Sequence, residues 1–353
     1  MPIQRILPTL NFDRSQTEYH FSHNRQLVIL KTHCCGLTFW QTKNTDLSWL
    51  LGIKAYFWHL IICNSKALYL QMIKQLYRFL SPKFQNLFLD YKVDLKPRWG
   101  HGKPPHKGLY DVINANRSEY ETLLHKALEY KESFKSIQDA TQNQDPTMPA
   151  WNNGYLPGLD IIGIYTLLSH FKPKKYIEIG SGNSTKVAYK AKKEQELSTS
   201  IISIDPMPRA EIDHLADQII RSPFENLDLA MLLELEENDI LFVDNSHRIL
   251  PNSDAMVFFM EILPQLKKGV IVHIHDIFLP YDYPQEMCDR FYSEQYGLGI
   301  FLIADPVRYQ TIFPNYFISE DKALASILDP IWQLDNTKNV ERHGGSFWLR
   351  IGN

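Results

Sequence analysis

Apolar positions change their spacing along this chain. From Lys66 to Leu80 the residues Leu68, Leu70, Ile73, Leu76, Tyr77 and Leu80 recur every three or four positions. That period predicts an amphipathic helix ending before Pro82. Residues 1–65 mix Gln, Asn, His and Thr with Trp40, Trp49, Phe57 and Trp58 and keep no period. Their most apolar stretch, Leu47 to Cys63, carries Lys54 and His59. It reads as a buried or interfacial helix, short of the roughly 20 residues a membrane span needs. Pro97 to Pro105 is rich in breakers and predicts a loop between an N-terminal appendage and the rest. Ser118-Glu119-Tyr120-Glu121 matches a capping box and predicts a helix running to about Ala140. A loop follows over Gln144–Gly158, then a largely apolar helix over Leu159–Phe171.

Beyond Lys174 the pattern alternates. Short β-rich runs stand at Tyr176–Gly180, Ile201–Ile204, Ile219–Ile220, Ile240–Val243, Val270–His275, Gln310–Ile318 and Ser346–Ile351. Between them, helices are predicted at Ser184–Lys193, Glu211–Ala216, Ser253–Leu266 and Arg290–Phe301. Strands alternating with helices predict an α/β fold with a largely parallel sheet. Three regions result: a poorly readable segment at 1–71, helices and loops at 72–158, and the alternating region at 159–353. The first is either an accessory segment or sequence ahead of a translation start nearer Met72.

With 353 residues, 44% hydrophobic and 22% charged, the chain is long enough for a large core. Lys+Arg of 37 against Asp+Glu of 40 leaves a net charge of −3, which gives no overall field toward nucleic acid. Cys34, Cys35, Cys63 and Cys288 form no C-x-x-C pair. The first residues are broken by Pro2, Pro8 and Asp13 and lack the apolar core of a secretory signal. A cytoplasmic protein with no membrane span is expected.

In an open parallel sheet, ligands sit beyond the carboxyl ends of the strands. Three strands end there in suggestive residues. The first runs into Glu178-Ile179-Gly180-Ser181-Gly182-Asn183-Ser184-Thr185, the second into Asp205, the third into Asp244-Asn245-Ser246-His247. Glycines allow a tight turn and close approach of a ligand, and a carboxylate twenty-five residues past Gly180 suits ribose hydroxyls. Each feature alone has a bland structural explanation; together they predict a nucleoside-containing ligand. The third glycine of a dinucleotide turn is replaced by Thr185. The carboxylate of Glu178 suits an ammonium or sulfonium better than a pyrophosphate.

YIEIGSGNST resembles motif I of the class I S-adenosylmethionine-dependent methyltransferases. IISIDP, DILFVDNSHR and KKGVIVHIHDIF resemble their following strands, so that the likeness spans roughly Arg98 to Arg350. It implies a Rossmann-like, seven-stranded, mostly parallel sheet with a C-terminal antiparallel hairpin, plus a helical N-terminal appendage. It implies S-adenosyl-L-methionine as cofactor. Gly180, Ser181, Gly182 and Ser184 would surround its methionine part, Glu178 its ammonium and Asp205 its ribose, with Asp244 beside its sulfur.

The acceptor is expected to be a small molecule methylated at oxygen, whose proton must go to a base or be displaced by a metal. His247 is the candidate base, with Asp244 or Asp276 orienting it. In the catechol type of the family, acidic residues at the positions of Asp244 and of the pair His275-Asp276 bind magnesium. A divalent metal on Asp244, His275 and Asp276 is therefore the second expectation, although His275 departs from the carboxylate found there. His273 is read as structural. The aromatic residues of Tyr281-Asp282-Tyr283 and of Trp151 to Tyr155 are candidate walls or lids. Competing readings are a metal-dependent oxygenase or hydrolase using Asp244, His247, His275 and Asp276, an NAD(P)-dependent oxidoreductase, and a non-catalytic scaffold.

Overall fold

The structure is a computed structural model that describes residues 17–23, 26–33, 36–38, 72–74, 76–208 and 212–353. Two units are distinct, Met1–Lys92 and Val93–Asn353. In the first, strands β1 (Thr17–His23), β2 (Gln26–His33) and β3 (Gly36–Thr38) pair antiparallel in that order. Residues 72–74 and 76–80 are helical, where the three-to-four spacing predicts it. The helix expected over Leu47–Cys63 lies outside the described residues.

In the second unit, helices α1 (Lys107–Asn114), α2 (Arg117–Leu128) and α3 (Lys131–Lys135) lead to a two-strand pairing of β4 (Gln138–Asp139) with β5 (Ala150–Trp151). Helix α4 (Gly158–Phe171) is buried from Gly158 to Ser169. A helix apolar on every side belongs inside, and α4 lies between α2 and α5 (Asn183–Glu194). Its aliphatic side chains Ile161, Ile162, Ile164, Leu167 and Leu168 are fully buried, each worth roughly 1.5–3 kcal/mol relative to exposure.

The main sheet has seven strands: β6 (Lys175–Ile179), β7 (Ser200–Ile204), β8 (Gln218–Ile220), β9 (Ile240–Val243), β10 (Ile271–Ile274), β11 (Tyr309–Pro314) and β12 (Phe347–Ile351). Their spatial order is β11-β12-β10-β9-β6-β7-β8. The five from β10 to β8 run parallel; β12 inserts antiparallel between β10 and β11. This is the mostly parallel sheet with an antiparallel terminal pair that the resemblance implies. From β6 the chain winds outward to β7 and β8, then crosses back to β9. The topological switch point therefore lies between β6 and β9.

Several sequence-predicted elements differ. Ser118 does not cap α2. The helix already starts at Arg117, and Asn116 at its cap donates its side-chain amide to the carbonyl of Thr311 instead. Arg117 is drawn into a two-pronged pair with Asp321, at 2.5 and 2.8 Å. The helix expected to reach Ala140 ends at Leu128, and only the short α3 follows. Residues 213–215 form a turn, not a helix. The helix over Ser253–Leu266 breaks into a turn of α-helix (Asp254–Val257), a π turn (Phe258–Ile262) and a 3-10 turn (Leu263–Gln265). Pro264, which lacks an N–H, sits in the last of these. The helix expected at Arg290–Phe301 splits into Gln285–Cys288 and α6 (Glu294–Ala304), with Phe291 in the left-handed region at φ +60° between them. The strand expected to reach Ile318 stops at Pro314, and Asn315–Glu320 turns helical. Among the described residues, no helix is long and apolar enough to cross a membrane.

Candidate active site

Register brings the site together. Ile179 pairs with Ile204 on one side and Val243 on the other, and Val243 pairs with Ile274. The next residue of each strand is therefore Gly180, Asp205, Asp244 or His275, and all four emerge side by side at the switch point. Gly180 has φ +80°, and a Cβ there would lie 2.1 Å from the Asp244 carbonyl oxygen. Only glycine allows the ends of β6 and β9 to come this close. Gly182 differs: a Cβ on it would meet nothing within 4 Å. Its missing side chain opens space for a ligand.

One cleft is lined by Gly180, Ser181, Gly182, Asn183 and Ser184 from the first turn, Asp205 and Met207 from the second, and Asp244, Asn245 and His247 from the third. Tyr155 and Leu156 close its side. Asp205 accepts the Ser181 N–H at 3.0 Å and the Met207 N–H at 2.7 Å. Its Oδ2 also faces the Ser181 hydroxyl at 3.5 Å, while Oδ1 keeps a lone pair for a further donor. Tyr155 belongs to the loop read from sequence as a candidate lid. Asn153 organises that loop by accepting the N–H groups of Tyr155 and Leu156 and an Asn183 side-chain N–H at 3.2 Å. The segment is thereby tied to the first residue of α5.

Glu178 does not line the cleft. It is fully buried behind the turn, where its carboxylate accepts the hydroxyls of Thr185 at 2.5 Å and Tyr176 at 3.1 Å. Burial pushes its carboxyl up to about 7. Thr185 in turn accepts the Gly182 N–H at 3.1 Å. Glu178 thus meets the turn through Thr185, the residue standing where a dinucleotide fold has glycine.

Beside the cleft lies an acid-base cluster. The His247 ring places Nδ1 2.5 Å from Glu294 Oε1, and Nε2 3.5 Å from Asp276 and 3.6 Å from Asp244. Burial works against a charged ring here, but Glu294, Asp276 and Asp244 outweigh it and hold the His247 pKa above its usual value. His247 (φ +62°) and Asp276 (φ +56°) both occupy the left-handed region. Such strain in non-glycine residues collects at functional sites.

His275 sits deeper. Its Nε2 is 3.2 Å from Asp160, and its Nδ1 faces Asp276 at 3.6 Å and Asp244 at 3.7 Å. Burial again opposes the charge, yet these carboxylates raise its pKa well above the ordinary range. The imidazolium that these carboxylates favour has no lone pair to give a metal. Asp244, His275 and Asp276 thus do not fit the expected metal set, and among the described residues no group of three or more His, Cys, Asp or Glu is placed to hold an ion. Asp160, unremarked in the sequence, also accepts the N–H groups of Gly345 and Ser346 and the Asn315 amide. It pins the start of β12 beneath the cluster.

His273 is structural: fully buried, it contacts Ser346 at 2.7 Å and stacks on Trp348. Tyr283 is likewise buried, packed with Phe278, Cys288 and Tyr292. Tyr281 packs against Gly100 and Tyr316. Neither lines the cleft. Glu294, Asp160 and Met207 escaped sequence reasoning, because nothing in their spacing marks them.

Residues 177–277 match a family model described as a methyltransferase domain. An uncharacterized protein of Archaeoglobus fulgidus is 27% identical over 139 residues, which cover 37% of this chain and 62% of that protein. Among solved structures, a SAH-bound methyltransferase of Podospora anserina aligns at 18% identity with TM-score 0.35, over 65% of this chain and 88% of that one. An O-methyltransferase of Bacillus cereus in complex with SAH aligns at 12% identity with TM-score 0.32, over 69% and 100%.

Proposed function

We propose that this chain, whose residues 177–277 match a methyltransferase domain, is a class I enzyme that moves a methyl group from S-adenosylmethionine to a small-molecule acceptor, at oxygen, with His247 taking the acceptor's proton. The observation that carries this reading is convergence. The turn Gly180–Gly182, the carboxylate of Asp205 and the end of β9 at Asp244 border one cleft, and His247 stands in its wall.

The residues fit that cofactor. Gly182 leaves a cradle that a side chain would fill, Asp205 retains acceptor capacity for ribose hydroxyls, and Asp205 and Asp244 give the cleft a negative lining complementary to a cation. When bound, S-adenosylmethionine supplies a methyl group on a positively charged sulfur. The chain's part is to align the acceptor, exclude water and receive one proton. Tyr155 and Leu156 cover the cleft, and Asn153 holds them to α5. His247 Nε2, directed to the side of Asp244 and Asp276, is the proton-accepting atom.

Thermal denaturation with S-adenosylhomocysteine tests the cofactor. At 100 times the dissociation constant, binding adds roughly 2.7 kcal/mol of stability, so the melting temperature rises. Asp205→Ala abolishes the rise. Transfer of labelled methyl to a panel of phenols and alcohols then tests the chemistry. A melting temperature unmoved by S-adenosylmethionine and S-adenosylhomocysteine, or moved by NADH instead, overturns the reading.

A further inference from the structure

The geometry points to Glu294, 47 residues beyond His247 at the start of α6, as the positioning residue that decides which nitrogen of His247 accepts the proton. The inference rests on the reading of His247 as base. Glu294 Oε1 lies 2.5 Å from Nδ1. Burial pushes the Glu294 carboxyl up to about 7; above that pH the ionised carboxylate only accepts hydrogen bonds, so Nδ1 carries the proton and the lone pair of the neutral ring is confined to Nε2. Nε2 is the nitrogen on the side of Asp244, which borders the cleft.

Glu294 is held for this task. It is fully buried, and among the described residues its Oε2 has no hydrogen-bond partner, which leaves the ring as the one hydrogen-bonding contact of the carboxylate there. A carboxylate in the first turn of a helix also lies at the positive end of the helix dipole. The neighbouring Ser293 donates its N–H to the His247 carbonyl at 2.9 Å and accepts the Ile249 N–H at 3.1 Å. Backbone and side chain of the His247 loop are thus gripped from the same point of α6. The ring stacks on Tyr292 at 4.5 Å, and Arg248 and Arg290 approach Tyr292 at 5.3 and 4.6 Å. The charged groups surrounding the ring are then Asp244 after β9, Arg248 on its own loop, Asp276 after β10, and Arg290 and Glu294 at the head of α6.

In the transfer step Nε2 takes the acceptor's proton as the acceptor atom bonds to the methyl carbon, and the carbon–sulfur pair leaves with sulfur. Nδ1–H stays on the ring, and Glu294 neither gains nor loses a proton.

Nitrogen-15 NMR of the full chain labelled at histidine reads the tautomer without any acceptor, with His247→Asn assigning the ring. In the native protein, neutral His247 is expected solely as the Nδ1–H form. Glu294→Gln, whose amide both donates and accepts, is expected to give a mixture of tautomers. It should lower kcat about tenfold or more while leaving cofactor affinity unchanged. In the His247→Asn background the same substitution should cost no further activity, because its effect passes through the ring. An Nε2–H native ring, or a Glu294→Gln protein with unchanged tautomer and kcat, overturns the assignment. The two readings fail separately. The expected tautomers in a protein that methylates no acceptor uphold Glu294 and sink the reaction, whereas methyl transfer with a tautomer indifferent to Glu294 does the reverse.

Discussion

The hydroxyl of Thr185 donates to the buried Glu178 carboxylate at 2.5 Å and accepts the Gly182 N–H at 3.1 Å. One side chain thereby couples the end of strand β6 to the glycine turn that borders the cleft. Thr185→Val keeps the shape and removes both bonds. It leaves a buried acceptor and a backbone donor unpaired, at a cost of about 1–3 kcal/mol. A lowered melting temperature and about tenfold weaker S-adenosylhomocysteine binding are expected by calorimetry, with both restored in Thr185→Ser.

The two glycines of the turn should respond oppositely to alanine. At Gly180 the new Cβ would sit 2.1 Å from the Asp244 carbonyl, in a backbone region that side chains disfavour. Gly180→Ala should cost more than about 3 kcal/mol or prevent folding. At Gly182 the Cβ meets open space. Gly182→Ala should melt within about 0.5 kcal/mol of the native protein yet bind cofactor more weakly. Paired melting and titration experiments separate the two roles.

Glu178 makes stability depend on pH. Its folded pKa, pushed by burial to about 7, stands above the ordinary 4.5. The folded state thus holds a proton that the unfolded chain has released. The stabilisation from this proton is fully present below about pH 4.5 and is lost as pH rises through about 7. Glu178→Gln, permanently neutral, should flatten that decline. Denaturant titrations at pH 5 and 8 should lose up to about 3 kcal/mol less in the variant than in the native protein.

Asp321 gives the opposite slope. Its bond to Arg117 lowers its carboxyl to about 2 from 3.8. A depressed folded pKa contributes stability above about pH 4 that disappears as pH falls toward 2. Both side chains are partly exposed, so Asp321→Asn should cost only about 1 kcal/mol at neutral pH. The difference between variant and native protein should vanish in acid unfolding curves near pH 2.

Activity should rise with pH. Because three carboxylates hold the His247 pKa above 6.5, the ring becomes free to accept a proton only above that value. The acid limb of the rate profile should have its midpoint above 6.5, and His247→Asn should remove that limb with a rate loss of about a hundredfold or more.

The alternation of apolar runs with helical spacings was enough to read an α/β sheet and to set Gly180, Asp205 and Asp244 at the ends of three of its strands. That succeeded because strand period and turn chemistry are local: two glycines after an Ile-rich run mark a turn whatever surrounds it. Element ends were less legible. Arg117 starts its helix ahead of Ser118 because Asp321, 204 residues away, holds it there. The break inside Ser253–Leu266 lies in the π turn at Phe258–Ile262, which apolar spacing alone does not distinguish from α-helix.

The chain's order of residues by itself determined the sheet's class, the glycine turn at the end of β6 and the carboxylates of Asp205 and Asp244 that border the same cleft. Only the tertiary structure decided which acidic groups act on which rings. It turned Glu178 inward to Thr185, closed both His275 nitrogens on carboxylates and brought Glu294 to His247. Those choices depend on strand order and on the burial of charge, which makes an unpaired carboxylate or imidazolium costly and so matches partners far apart in sequence. Pairing of that kind leaves no periodic trace along the chain.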